Sequence, residues 1–184
     1  KITQGEFKQM QIAKKPDTTR EEYLDVIGKK TAELFGASCE SGVIVANGSL
    51  VEQKAAYSYG FNLGLAFQIV DDLMDFNAQS KKMGKNLGDD FRLGKTTLPI
   101  ILAWEKSNTS EKQFWNKTLK ELKQDTNDFE KALTIFHKYN VFEDCKLKAQ
   151  EFILKSKISL DQLPNTEFTE HLIGLANESI QRSK

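Results

Sequence analysis

Proline is scarce, with three in 184 residues, at Pro16, Pro99 and Pro164. Long stretches therefore run without the residue that most strongly breaks helices. Cysteine is scarcer. Cys39 and Cys145 have no metal-binding spacing and suggest no disulfide framework. A reducing, soluble compartment fits, and we expect the cytoplasm. No apolar run reaches the roughly 18 residues that suggest a spanning helix, and no signal peptide opens the sequence. An excess of one charge is missing too. Lys plus Arg and Asp plus Glu both number 26, giving zero formal net charge. That argues against general nucleic-acid binding, while leaving room for local basic patches aimed at phosphate. The two histidines, His137 and His171, stand alone and read as surface or packing residues. No stretch alternates convincingly enough for a sheet. What remains is an all-α protein, long enough for one compact helical domain over residues 1–184.

The most informative stretch present is Ala66-Phe67-Gln68-Ile69-Val70-Asp71-Asp72-Leu73-Met74-Asp75-Phe76. On a helix advancing about 100° per residue, with Asp71 at zero, Asp75 falls near 40°, Gln68 near 60° and Asp72 near 100°. The rest of the wheel is apolar, so the helix is expected to be buried. Three carboxylates within about two turns need neutralising, because desolvating an unpaired charge is costly. A divalent metal with oxygen ligands is one answer, and Lys or Arg from another segment is a second. A solvated helix face is the third reading. Gly60 and Gly64 share the aspartate face, where glycine weakens a helix by roughly 1 kcal/mol against alanine. They imply either close packing of a neighbouring helix or a hollow beside the acids.

The start reads as helix from its first residues without a capping signal, so the chain is expected to begin inside a larger protein. Thr19 with Glu22 and Ser49 with Glu52 form capping boxes. They open helices expected over about 20–46 and 50–79, the first stopped by Asn47-Gly48. Residues 80–97 read as a polar loop with two Gly-Lys pairs, Gly84-Lys85 and Gly94-Lys95. Glycine lets backbone approach a ligand, and lysine supplies a point charge for phosphate. It is not a Walker loop, since the spacing from Gly88 to Thr96 is one residue too long and no strand precedes it. Further helices are expected over about 98–106, 111–123, 128–139, 141–161 and 167–182, with Ser110/Gln113 and Asn127/Glu130 as capping boxes.

Taken in order, these motifs resemble the trans-type isoprenyl diphosphate synthases, the polyprenyl synthetase family. Gly5-Glu6 with Gln9 resembles its G-E-x-x-Q helix, and Lys30-Thr31 its K-T motif. Gly64 to Asp75 resembles its second aspartate-rich motif, G-x-x-F-Q-x-x-D-D-x-x-D. Gly84-Lys85, Asp90 and Gly94-Lys95-x-Thr97-Leu98-Pro99 resemble its G-K and G-K-x-T-L-P loop. Leu163-Pro164 and the helix ending at Arg182 resemble its tail. Asn86 and Phe91 depart from the common proline and leucine. The family's first aspartate-rich motif, which lies before G-E-x-x-Q, has no counterpart.

The resemblance implies the C-terminal part of an isoprenoid-synthase helical bundle, its N-terminal helices missing from this chain. It implies a Mg²⁺-dependent prenyltransferase that condenses isopentenyl diphosphate with an allylic diphosphate, and a homodimer. Asp71 would ligate Mg²⁺, while Asp72 and Asp75 ligate it or orient its water. Lys30, Lys85 and Lys95 would hold diphosphate. Thr31 and Gln68 would line the reacting end of the allyl group, with Asp90 positioning a lysine or water. This chain alone is expected to be inactive. The alternative is a non-catalytic helical subunit or fragment that associates with a partner.

Overall fold

The computed structural model describes residues 1–76 and 87–181, and every regular element among them is helical. Helix α1 is Ile2–Ile12. Helix α2, Arg20–Ile27, runs through a π-helical segment, Gly28–Ala32, into α3, Glu33–Val45. The sequence pattern reads this rod as one helix, and its continuity holds. The π turn is invisible to a periodicity argument because it shifts phase without breaking the chain. A short turn after Ala46 leads to α4, Leu50–Met74. The expected capping boxes open both α2 and α4: Thr19 accepts from the Glu22 amide, and Ser49 from that of Glu52. In each case the glutamate side chain bonds back to the cap residue's amide.

The short α5 is Asp89–Arg92, inside the segment read as loop. Helix α6, Leu98–Lys106, carries Pro99 in its first turn, where a missing N–H leaves no helical bond unmade. Helix α7, Thr109–Trp115, passes into a second π segment, Asn116–Lys120. Its capping box is Asn108 with Glu111, two residues before the expected Ser110 and Gln113. Ser110 instead donates to the Asn108 side chain, 2.9 Å away. Helix α8, Asp128–Lys138, has no capping box, because the expected cap Asn127 already adopts helical backbone angles. The Asp128 carboxylate receives the Asp125 amide at 2.9 Å in its place. Helix α9, Val141–Ser159, ends in a 3-10 turn, Leu160–Gln162, and α10 is Glu167–Gln181.

Helix α4 is the axis, lying between α3 and α9 with α6 and α10 also against it. Leu65, Ala66, Ile69, Val70 and Leu73 are buried there. Its acid side faces the α2–α3 rod. A Cβ on Gly60 would lie 2.4 Å from the Phe35 carbonyl oxygen, and one on Gly64 2.7 Å from the Ala32 Cα. Close helix packing is therefore the role of both glycines. The same ridge continues one turn at a time through Gln68 and Asp72, which meet Thr31 and Tyr23 on the rod.

The helix that the pattern carries to about residue 79 ends at Met74. Residues 77–79 lie outside the described part, as do Lys85, the rest of 80–86, and Arg182. Asp75 turns the chain. Its carbonyl accepts from the Gly88 amide at 2.8 Å, and its carboxylate from the Asp90 amide at 3.0 Å.

Candidate active site

Gln68, Asp71, Asp72 and Asp75 line one cavity of about 470 Å³, so the shared face read from the spacing is present. Gln9, Lys30, Asp89, Asp90, Leu93, Lys95 and Thr97 complete its lining. Residues from α1, the first π segment, α4 and α5, with the segment leading into α6, thus converge on one hollow. Lys30 reaches it because α1 lies against the π segment. A Cβ on Gly5 would sit 2.5 Å from the Lys30 backbone nitrogen. From that position Lys30 donates to Gln9 at 2.8 Å and pairs with Glu6 at 3.3 Å.

Lys95 is fixed by the turn before α6. Gly94 takes the left-handed conformation at φ 68°, and its carbonyl accepts from the Lys14 amide at 2.8 Å. The Lys95 ammonium pairs with Asp90. Burial alone lowers the affinity of Lys95 for its proton, but the Asp90 bond and the carboxylates beyond it outweigh that and raise its pKa. The expectation that Asp90 positions a lysine thus has a matching contact.

The three aspartates differ. Asp72 is buried, and both its oxygens are engaged: Tyr23 donates to one at 2.7 Å and Gln68 to the other at 2.8 Å. Burial pushes its carboxyl up to about 7, with repulsion from Asp90 and Asp71 adding to the effect and the two hydrogen bonds opposing it. Asp75 is pushed up to about 6 by burial and then by the Asp90 charge. Asp71 is half-buried on the same wall. Among the described residues, no group of three His, Cys, Asp or Glu side chains is gathered as a ready metal cage. The three aspartates line the cavity together.

Thr31 donates to the Gln68 carbonyl oxygen at 2.7 Å, so the two residues expected beside the allyl group touch each other. Sequence reasoning missed Tyr23. A buried tyrosine hydroxyl needs a partner, but nothing in the sequence points to one 49 residues away. It also missed the hydroxyls of Thr96 and Thr97, which are buried with no hydrogen-bond partner among the described residues. Thr97 occupies the cap position of α6 without bonding to it. His137 and His171 are exposed and pack edge-on against Phe142 and Phe168, as expected.

The all-α fold is one shared with known proteins. The polyprenyl synthetase family model matches residues 1–136. The chain belongs to that family. It is 37% identical over 183 residues to octaprenyl diphosphate synthase of Escherichia coli (strain K12), covering all of this chain and 56% of that protein. Superposed on decaprenyl diphosphate synthase from Rhodobacter capsulatus, it gives a TM-score of 0.93 at 36% identity, spanning all of this chain and 56% of the other. A polyprenyl synthase from Caulobacter crescentus CB15, crystallised with calcium and isoprenyl diphosphate, gives 0.94 at 34% identity with the same coverage. The chain thus spans little more than half the length of these relatives.

Proposed function

We propose that this chain forms the lysine-and-aspartate wall of a trans-prenyltransferase, which joins isopentenyl diphosphate to an allylic diphosphate to give a longer polyprenyl diphosphate. The observation that carries this reading is the convergence of Asp71, Asp72 and Asp75 with Lys30 and Lys95 on one cavity. Mg²⁺ fits the donor set. The candidate ligands are all carboxylate oxygens, and burial with mutual repulsion leaves Asp72 and Asp75 short of positive charge. Asp71 and Asp75 would hold the ion, with Asp72 ordering the wall from behind. Bound there, Mg²⁺ neutralises charge on a departing diphosphate.

The protein groups have distinct tasks. Lys30 and Lys95, with Lys85, hold diphosphate oxygens, so Lys30 must exchange Glu6 and Lys95 must exchange Asp90. Breaking the allylic C–O bond sends its electron pair to the diphosphate. The isopentenyl double bond then attacks the allylic cation, and loss of a proton restores an alkene. Thr31 and Gln68 place an oxygen pair near the reacting end. The calcium and isoprenyl diphosphate in the Caulobacter enzyme's crystal support a cation–diphosphate site in this fold. The same reading makes the enzyme a homodimer. Among the described residues no helix is long and apolar enough to cross a membrane.

Single-turnover prenyl transfer by the full-length enzyme against Mg²⁺ concentration tests the assignment. Asp71→Ala should slow transfer by about 10²–10³, the usual cost of one preorganised charge stabiliser. Added Mg²⁺ should restore part of it. Lys95→Ala should cost less and gain nothing from Mg²⁺, because other lysines remain. An Asp71→Ala enzyme with unchanged rate and metal dependence would falsify the metal assignment.

A further inference from the structure

We propose that Tyr23 is a positioning residue for the acid wall, acting through Asp72 and Gln68 on Thr31. The inference rests on the functional reading above and names a residue that reading does not use. Four side chains form one line of hydrogen bonds. Tyr23 donates to Asp72 at 2.7 Å, Gln68 donates to the other Asp72 oxygen at 2.8 Å, and Thr31 donates to Gln68 at 2.7 Å. Tyr23 is 2% exposed and Asp72 7%, so water does not compete for the first bond.

The backbone explains how both ends meet α4. Gln68 and Asp72 are one helical turn apart and share a face. Tyr23 and Thr31 are eight residues apart, which in an unbroken α-helix leaves them about 80° out of phase. The π segment Gly28–Ala32 lies between them. One inserted residue takes back about 100°, which returns Thr31 to within about 20° of Tyr23. The π turn is thus the registration device that lets one rod grip α4 at both Gln68 and Asp72. The amide orientation of Gln68 follows. Its NH₂ faces Asp72, so its carbonyl oxygen is the atom presented to Thr31.

The consequence is that Tyr23 fixes Asp72 to the protein and, through Gln68, sets where the Thr31 hydroxyl points. Tyr23→Phe removes one oxygen and leaves the ring. Asp72 then gains freedom to turn, and Gln68 loses its fixed partner. Removing an outer partner of this kind typically weakens metal affinity by about 10–100-fold.

The test uses wild type, Tyr23→Phe, Thr31→Val and the double variant, each checked for folding by circular dichroism. Mg²⁺ affinity is read by calorimetry in the presence of inorganic pyrophosphate, and the Gln68 side-chain amide is followed by ¹⁵N NMR without ligand. We expect Tyr23→Phe to move the Gln68 amide signal, though the two residues do not share a bond, and to weaken Mg²⁺ at least about tenfold. The double variant should lose less than the product of the single losses, because either change breaks the same line. Should Tyr23→Phe fail to fold, Thr31→Val reports from the half-exposed end by moving the Tyr23 ring signals. An unmoved partner signal, or losses that multiply, would overturn the proposal. If wild type binds and Tyr23→Phe binds equally, only the positioning role falls. If wild type does not bind Mg²⁺ with pyrophosphate, the functional reading falls and the positioning role with it.

Discussion

Asp72 takes up a proton more readily in the folded chain than in the unfolded one, because burial raises its carboxyl to about 7. The folded state therefore binds more protons between the ordinary aspartate value and that point, and the Asp72 contribution to stability falls as pH rises through the interval. Asp72→Asn removes the titration. Without metal, the variant and wild type should have similar thermal midpoints only below about pH 4, and the variant should be the more stable near pH 8. Equal midpoints across the range would show that Asp72 carries no shifted proton. The two orphaned threonines give a second prediction. Replacing the Thr97 hydroxyl by a methyl in Thr97→Val removes a buried polar atom with no partner among the described residues. Urea unfolding should show a gain of about 1 kcal/mol, since an unmade bond costs more than its absence. A loss of that size would mean the hydroxyl is bonded in solution. At this scale the acid face was legible because helical spacing fixes it, as Gln68, Asp71 and Asp75 show. Tyr23 was not, because its partner is distant in sequence and only packing brings them together.

Helix α4 was legible as an element for two separate reasons. Ser49 and Glu52 mark its start by local chemistry, and Ile69, Val70 and Leu73 mark its buried side by spacing. Its end was not, because Asp75 closes it through Gly88 and Asp90, which come well after it in the sequence. The box chosen for α7 missed by two residues for a local reason. Asn108 and Ser110 both suit a cap, and the backbone used the earlier one. Gly60 and Gly64 show which of two element-scale explanations holds. Alanine in a helix interior normally adds about 1 kcal/mol over glycine. Here the new methyl at Gly60 would meet the Phe35 carbonyl oxygen at 2.4 Å, and at Gly64 the Ala32 Cα at 2.7 Å, both backbone atoms. Overpacking of this kind costs about 1–3 kcal/mol. Gly60→Ala and Gly64→Ala should each therefore destabilise by roughly 1–2 kcal/mol net in urea unfolding. Gly64→Ala should also shift the Gln68 side-chain amide, one turn along the same ridge. A stabilised Gly60→Ala would mean that the rod and α4 stand further apart.

At the scale of the molecule, the apolar surface is unevenly covered. Helix α1 buries only Gly5 and Ile12. Phe7 is 63% exposed and Met10 73%, one turn apart on that helix. Leu34 is 57% exposed, and with Ile2 it lines a separate shallow hollow against α3. Scattered apolar residues are ordinary on a surface, but a clustered set marks an interaction face. The polar side of α1 is already committed, since Lys30 pairs with Glu6 and Asp25 pairs with Lys8 and Lys29. A partner approaching α1 therefore meets its apolar side. We predict self-association through this face, because a second copy offers the same apolar side. Light scattering at micromolar concentration should give a mass well above the 20.9 kDa of one chain. Phe7→Glu with Met10→Glu should return it to that mass. Its thermal midpoint at low protein concentration should change little, since neither side chain is buried within the chain. Wild type running as a clean monomer would remove self-association as the cover for this face. A double variant that stays associated would place the contact elsewhere, with α3 and its exposed Leu34 the next surface to substitute.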